Sequence, residues 1–95
     1  MIPGTSHKIT ISLPFNTIRV SDFQVKITQN DKLVIKKEKE DCEFNRNKVR
    51  LELTPEETAK FNPFWKFAKI QAEGKTNTGR TFKTEVERFP VEESL

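Results

Sequence analysis

The sequence predicts an all-β domain, an antiparallel immunoglobulin-like β-sandwich of about seven strands with one short helical turn. Three observations predict it. Apolar residues alternate with polar ones over residues 9–13, 23–27, 49–53 and 82–86, the period of half-buried strands. Turn-forming residues separate these runs about every 8–12 residues, as they do in sandwiches. The one strong helix signal, Thr54-Pro55-Glu56-Glu57, is confined to a short stretch by Asn62-Pro63. A partly open five-stranded barrel is the other architecture with this pattern, and such barrels bind single strands.

Taken in order, residues 1–6 are polar and carry Pro3 and Gly4, which predicts a loose arm before a domain over residues 7–91. Ile9, Ile11 and Leu13 share one strand face. Pro14 stops that strand because it has no N–H for a ladder, and Phe15 plugs the end of the core. Phe23, Val25 and Ile27 form the second inward stripe. Asn30-Asp31 turns directly into a third strand with Leu33 and Ile35 inward. Cys42 and Phe44 point inward, and Asn45-Arg46-Asn47 turns the chain, asparagine tolerating the left-handed backbone that tight turns use. Val49, Leu51 and Leu53 alternate with Lys48, Arg50 and Glu52. In the capping box after this strand, the Thr54 hydroxyl accepts from the amide three residues on and the Glu57 carboxylate reaches back to the Thr54 amide. Pro55 stands at the first helical position, where its missing N–H costs nothing.

Residues 64–73 are expected as the next strand, and they hold a conflict. Ala68, Ile70 and Ala72 share one face, and that face extended backwards puts Lys66 in the core. Trp65 and Phe67 fall on the opposite parity. Either a β-bulge near Phe67-Ala68 switches the face, or aromatics are left outside. Gly79 closes a hairpin loop at a positive-φ position, residues 81–88 form the last strand with Phe82, Thr84 and Val86 in alternation, and residues 92–95 are an acidic tail. Ile11, Val25, Ile35, Leu51 and Ile70 are the expected centre of one core.

Composition narrows the function. Seventeen basic and 14 acidic residues leave a net charge of +3, well mixed along the chain, which is weaker than the clustered excess of most nucleic-acid domains. A single cysteine, Cys42, excludes an intramolecular disulfide, and no Cys/His cluster has zinc-ligand spacing. The run KKEKED ending at Asp41 reads as a solvated edge. A metal site from Glu38, Glu40, Asp41 and Glu43 is the sharper reading, but the interleaved lysines neutralise it. Cys42 as a nucleophile would need a base, and the only histidine, His7, lies at the start of the chain. No phosphate loop, nucleophile elbow or dinucleotide fingerprint is present, so no catalytic residue, cofactor or metal is assigned. No apolar window approaches a membrane span, and residues 1–8 lack the apolar run of a secretion signal.

The tracts MIPG, ITISLPF, VKITQNDKLVIKKEKEDC, VRLELTPEET and IQAEGKTNTG resemble, in this order, a group of short hypothetical proteins of tailed bacteriophages and prophages. LTPEET followed by an extended strand, a glycine turn and a last strand is similar to small immunoglobulin-like domains of phage tail and baseplate proteins. The resemblance spans nearly the whole chain, although FNPFWKF is more aromatic than the group's pattern. It implies a virion structural or assembly protein, made in the host bacterial cytoplasm and located in the virion. It contacts other phage structural proteins or itself, and no catalytic residues carry over. A single-strand nucleic-acid module and a small phage protein that inhibits a host factor are the other functions carried. If the aromatics are left outside, Trp65, with Phe67, Lys69 and Lys66, is the expected contact surface for a subunit, a partner or a nucleic-acid strand, because an exposed tryptophan beside an apolar neighbour anchors interfaces. A bulge would tuck both aromatics inside and leave no patch.

Overall fold

The structure, a computed structural model, describes residues 1–94. Along the chain come β1 (His7–Ser12), β2 (Val20–Gln29), β3 (Lys32–Glu38), β4 (Glu43–Asn45), β5 (Lys48–Leu53), α1 (Pro55–Thr58), β6 (Phe67–Thr76), β7 (Thr81–Lys83) and β8 (Glu87–Pro90). Single 3-10 turns occupy Thr17–Arg19 and Lys39–Asp41. One sheet has the order β1-β5-β4, and the other β3-β2-β6-β7 with β8 also on β6; every pairing is antiparallel. The orders correspond to strands B-E-D and C′-C-F-G of an immunoglobulin sandwich, with no strand A among the described residues. Among the described residues no helix is long and apolar enough to cross a membrane.

The core forms where the inner stripes of the two sheets meet. Val25, Ile27, Ile35, Val49, Leu51, Leu53, Ala68, Ile70 and Ala72 are buried there, with Phe23 and Phe61. Across β2 and β6, large residues oppose small ones at two positions, Phe23 opposite Gly74 and Val25 opposite Ala72, and Ile27 then meets Ile70. Gly74 is demanded by backbone proximity. A Cβ there would lie 2.1 Å from the Asp22 carbonyl oxygen, beside the register shift between Val20 and Asp22. Phe23 packs edge-on against Phe44, and Phe15 edge-on against Phe82, closing that end of the core.

The capping box forms as the sequence predicts. Glu57 N–H donates to Thr54 Oγ1 (3.2 Å) and Thr54 N–H donates to Glu57 Oε1 (3.0 Å). Lys37 Nζ, 2.7 Å from Glu57 Oε1, adds an ion pair in which both side chains are mostly shielded. Burial opposes ionisation of Glu57, but the bonds from Lys37 and from the Thr54 amide outweigh it and hold the carboxyl below its usual value.

Six expectations are corrected. Leu33 is exposed rather than buried, because a register shift between Ile27 and Thr28 pairs Ile27 with Ile35 but Thr28 with Leu33. The extra residue, Val34, turns inward instead and packs on the core. Ile11 is only half-buried, because β1 is the outer strand of its sheet. The positive φ in the turn after β4 belongs to Arg46 (55°), neither asparagine. The turn is held there because the Arg46 carbonyl accepts from the Thr17 N–H and hydroxyl, both at 2.6 Å. The last strand is not continuous. Thr84 bulges out between β7 and β8, donating its N–H to the Ala72 carbonyl (2.9 Å) and accepting the Ala72 N–H on its hydroxyl (3.0 Å). The inward parity then passes from Phe82 to Phe89 and buried Val91, and Val86 is exposed. β7 and β8 are thus two halves of one strand, which leaves seven strand positions.

Residues 1–6 are tied down rather than loose. The Met1 nitrogen donates to the Pro90 carbonyl (2.8 Å), Glu92 N–H donates to the Met1 carbonyl (2.8 Å), and Thr58 Oγ1 accepts from Gly4 N–H while donating to the Thr5 carbonyl. The sixth correction falls on residues 64–66, which are turn and coil outside β6. Of the acidic tail, residues 92–94 are described and exposed, and Leu95 lies outside the described residues.

Chemical denaturation of four variants tests this frame. Thr54→Ala costs about 1 kcal/mol, Leu51→Ala about 2–5 kcal/mol, and Gly74→Ala at least the ~1–3 kcal/mol of an overpacked site; equal losses for Thr54→Ala and Leu51→Ala would remove Leu51 from the core. The depressed Glu57 pKa contributes stability that is present above the ordinary value of 4.5 and is lost as pH falls through the folded-state value. Glu57→Gln is therefore less stable than wild type at neutral pH, and the gap closes as the pH is lowered below about 4, near where free carboxylates protonate.

Candidate functional site

The chain leaves α1 through buried Phe61, whose ring meets Phe89 at 6.2 Å. The path of the next few residues is set by Gln29. It occupies the inward position next after Phe23, Val25 and Ile27, and it is buried. A buried amide needs partners, and the loop supplies them: Gln29 Oε1 accepts from Asn62 N–H (2.7 Å), and Nε2 donates to the carbonyls of Asn62 and Trp65, each at 2.8 Å. Asn62 Oδ1 then accepts from Phe64 N–H (2.9 Å), and Trp65 N–H donates to the Asn62 carbonyl (3.1 Å). With their backbone used in this tight turn, Phe64 and Trp65 cannot join the ladder. The Lys66 carbonyl accepts from Val91 N–H (2.8 Å), and β6 begins one residue later.

The aromatics are consequently outside. Phe64 is 73% exposed, Trp65 43% and Phe67 50%. Phe64 and Trp65 pack edge to face at 5.1 Å. Phe67 begins β6 on its outer face while Ala68 is buried, so aromatics outside, rather than a bulge, resolves the conflict in the sequence. Arg88 lies over the Phe67 ring at 5.0 Å. Lys69 is on the same outer face, directly across from Arg88, and two like charges in that position repel. Lys66, assigned by parity to the core, is exposed because the strand starts after it. Phe67, Lys69 and Arg88 also line a hollow of about 250 Å³ beside Asn30 and Asp31. The four expected contact residues, Trp65, Lys66, Phe67 and Lys69, thus lie at or next to one strand end, and Arg88 adds a third cation to Lys66 and Lys69. Gln29 and Arg88 were not singled out in the sequence. A glutamine at the inward parity of an apolar run is the signal that marks Gln29.

Other chemistry finds little purchase. Among the described residues, no three or more His, Cys, Asp or Glu side chains converge as a metal site. Asp41 of the acidic run instead accepts the Glu38 N–H (2.9 Å), and Lys36 pairs with Glu38 (3.4 Å). Burial, then the neighbouring Asp41, pushes the Cys42 thiol up to about 11, so it stays protonated at neutral pH.

No family model matches the chain, and no curated protein matches it. Among solved structures it is similar to an engineered protein whose crystal structure was determined at 1.98 Å resolution, with a TM-score of 0.60 and 11% identity. The likeness covers all of this chain, which spans 17% of the length of that one. At that identity it bears on the fold alone and supports the sandwich.

The geometry sets an expectation for Trp65, the only tryptophan. Its fluorescence is solvent-shifted and readily quenched by acrylamide in the folded protein. Gln29→Ala, which leaves the Asn62 and Trp65 carbonyls without their donor, costs about 1–3 kcal/mol. A blue, unquenchable emission would place Trp65 in the interior.

Proposed function

We propose that this domain is a non-catalytic structural module that works by protein–protein contact through the surface of Phe64, Trp65 and Phe67. With the phage resemblance of its sequence, the role is a tail or baseplate component of a virion. The observation that carries the contact surface is the exposure of three large aromatics in four consecutive residues, held there by the buried amide of Gln29. Exposed apolar groups of this kind are unfavourable in an isolated chain, and aromatic anchors dominate interfaces. Lys66, Lys69 and Arg88 rim the surface, and no ion pair engages them among the described residues. A partner with carboxylates around an apolar centre complements that rim.

A single nucleic-acid strand would also suit aromatics among cations. Arg88 already covers one face of Phe67, however, and Phe64 meets Trp65 edge to face, which favours a protein partner.

Mass spectrometry of purified particles is expected to find the chain as a component. Trp65→Ala keeps the fold and loses incorporation, with a binding loss of about 2–4 kcal/mol as for other aromatic anchors. Tight, salt-sensitive binding to an oligonucleotide, together with absence from particles, would overturn this reading in favour of the nucleic-acid one.

A further inference from the structure

The four sheet edges are not alike. β3 carries three lysines in seven residues and a bulge, β4 is three residues long, and the β7–β8 edge is broken at Thr84 and ends in Pro90. Charge, brevity, bulges and proline are the usual protections of an edge. β1 has one lysine, no proline and an uninterrupted register with β5. Among the described residues no strand covers it, because residues 1–6, which precede β1, run to β8 and α1. Beside the open edge lies a cleft of about 580 Å³ lined by Ile11, Leu13, Phe15, Ile70 and Phe82, with Glu85 and Glu87 also on its wall.

The hydrogen-bond phase of this edge is fixed by Leu13, whose N–H donates to the Asn47 carbonyl at 2.8 Å. Alternation along an antiparallel ladder then turns the N–H and C=O of His7, Ile9 and Ile11 toward β5, and those of Lys8, Thr10 and Ser12 outward. Among the described residues nothing bonds to those outward groups. We propose that their occupant is a second copy of this chain, β1 pairing antiparallel with β1 about a two-fold axis at Thr10.

The edge is self-complementary in that register. Thr10 meets the partner's Thr10, a favourable cross-strand pair, and Lys8 meets the partner's Ser12, so no like charges oppose. On the inner face Ile9 meets the partner's Ile11. Both are half-buried in one copy, and both gain apolar cover in the pair. That inner face carries no carboxylate, which suits a neighbour whose cleft bears Glu85 and Glu87. The result is a continuous six-stranded sheet with closed two-fold symmetry, on a surface separate from Trp65.

Sedimentation velocity and cysteine cross-linking test it. Wild type is expected to dimerise at high micromolar concentration and Thr10→Lys, at an exposed position, to be monomeric with an unchanged fold. In a Cys42→Ser background, Thr10→Cys forms an intersubunit disulfide, because Cα atoms of such a pair are about 5.5 Å apart, whereas Ser12→Cys does not. The cross-link decides alone should Thr10→Lys fail to fold. A wild type monomeric at every concentration overturns the proposal. So does a dimer that survives Thr10→Lys, one lost on Trp65→Ala instead, or one that links through position 12 and not 10.

Discussion

The pairing of β2 with β6 is the constraint on which the rest of the structure depends. These two ten-residue strands are the longest in the fold, and they stand side by side at the centre of the larger sheet. Their inner faces interlock large against small, Phe23 over Gly74 and Val25 over Ala72. The approach at Gly74 is so close that no side chain fits. Everything outside this pair attaches to it: β3 by a hairpin whose Asn30 and Asp31 both take positive φ, and β7 and β8 along the far edge of β6. The smaller sheet then lays Val49, Leu51 and Leu53 on the stripe so formed.

The aromatic surface is a consequence of the same pair. β2 ends in Gln29, and a buried amide at that point captures the backbone of the chain as it returns toward β6. Leaving such a group unpaired costs about 1–3 kcal/mol, enough to favour a tight turn over residues that would otherwise extend the strand. Three aromatics pass to the outside as a result. Hydrophobic burial alone would draw them inward, so the backbone and amide hydrogen bonds decide where they end.

The two contacts proposed for this sandwich are of unlike kinds. One is a side-chain surface, aromatic with a cationic rim. The other is a backbone edge on β1, whose specificity comes from register. The two lie on different sheets, so a chain that used both could bind a copy of itself and a different partner at once, as an assembling structure requires.

The sequence by itself determined the elements whose causes are local. Alternation marked the inner faces of β1, β2 and β5, because a strand places every second side chain on one side. Thr54, Pro55 and Glu57 specified a capped turn, because all its partners lie within three residues. Exposed aromatics were legible as one of two outcomes, since Trp65 and Phe67 have the wrong parity for Ala68 and Ile70. The tertiary structure decided what depends on how one element meets another. It placed the bulge that exposes Leu33, the Thr84 bulge that exchanges Val86 for Phe89, the docking of residues 1–6 and the role of Gln29. The Thr84 bulge, the docking of residues 1–6 and the turn on Gln29 each rest on hydrogen bonds between separate segments. The Leu33 bulge rests on the register that β2 and β3 take up across their hairpin. Parity along one strand carries no information about how many residues its neighbour spends opposite it, and that count is set only when the two strands meet.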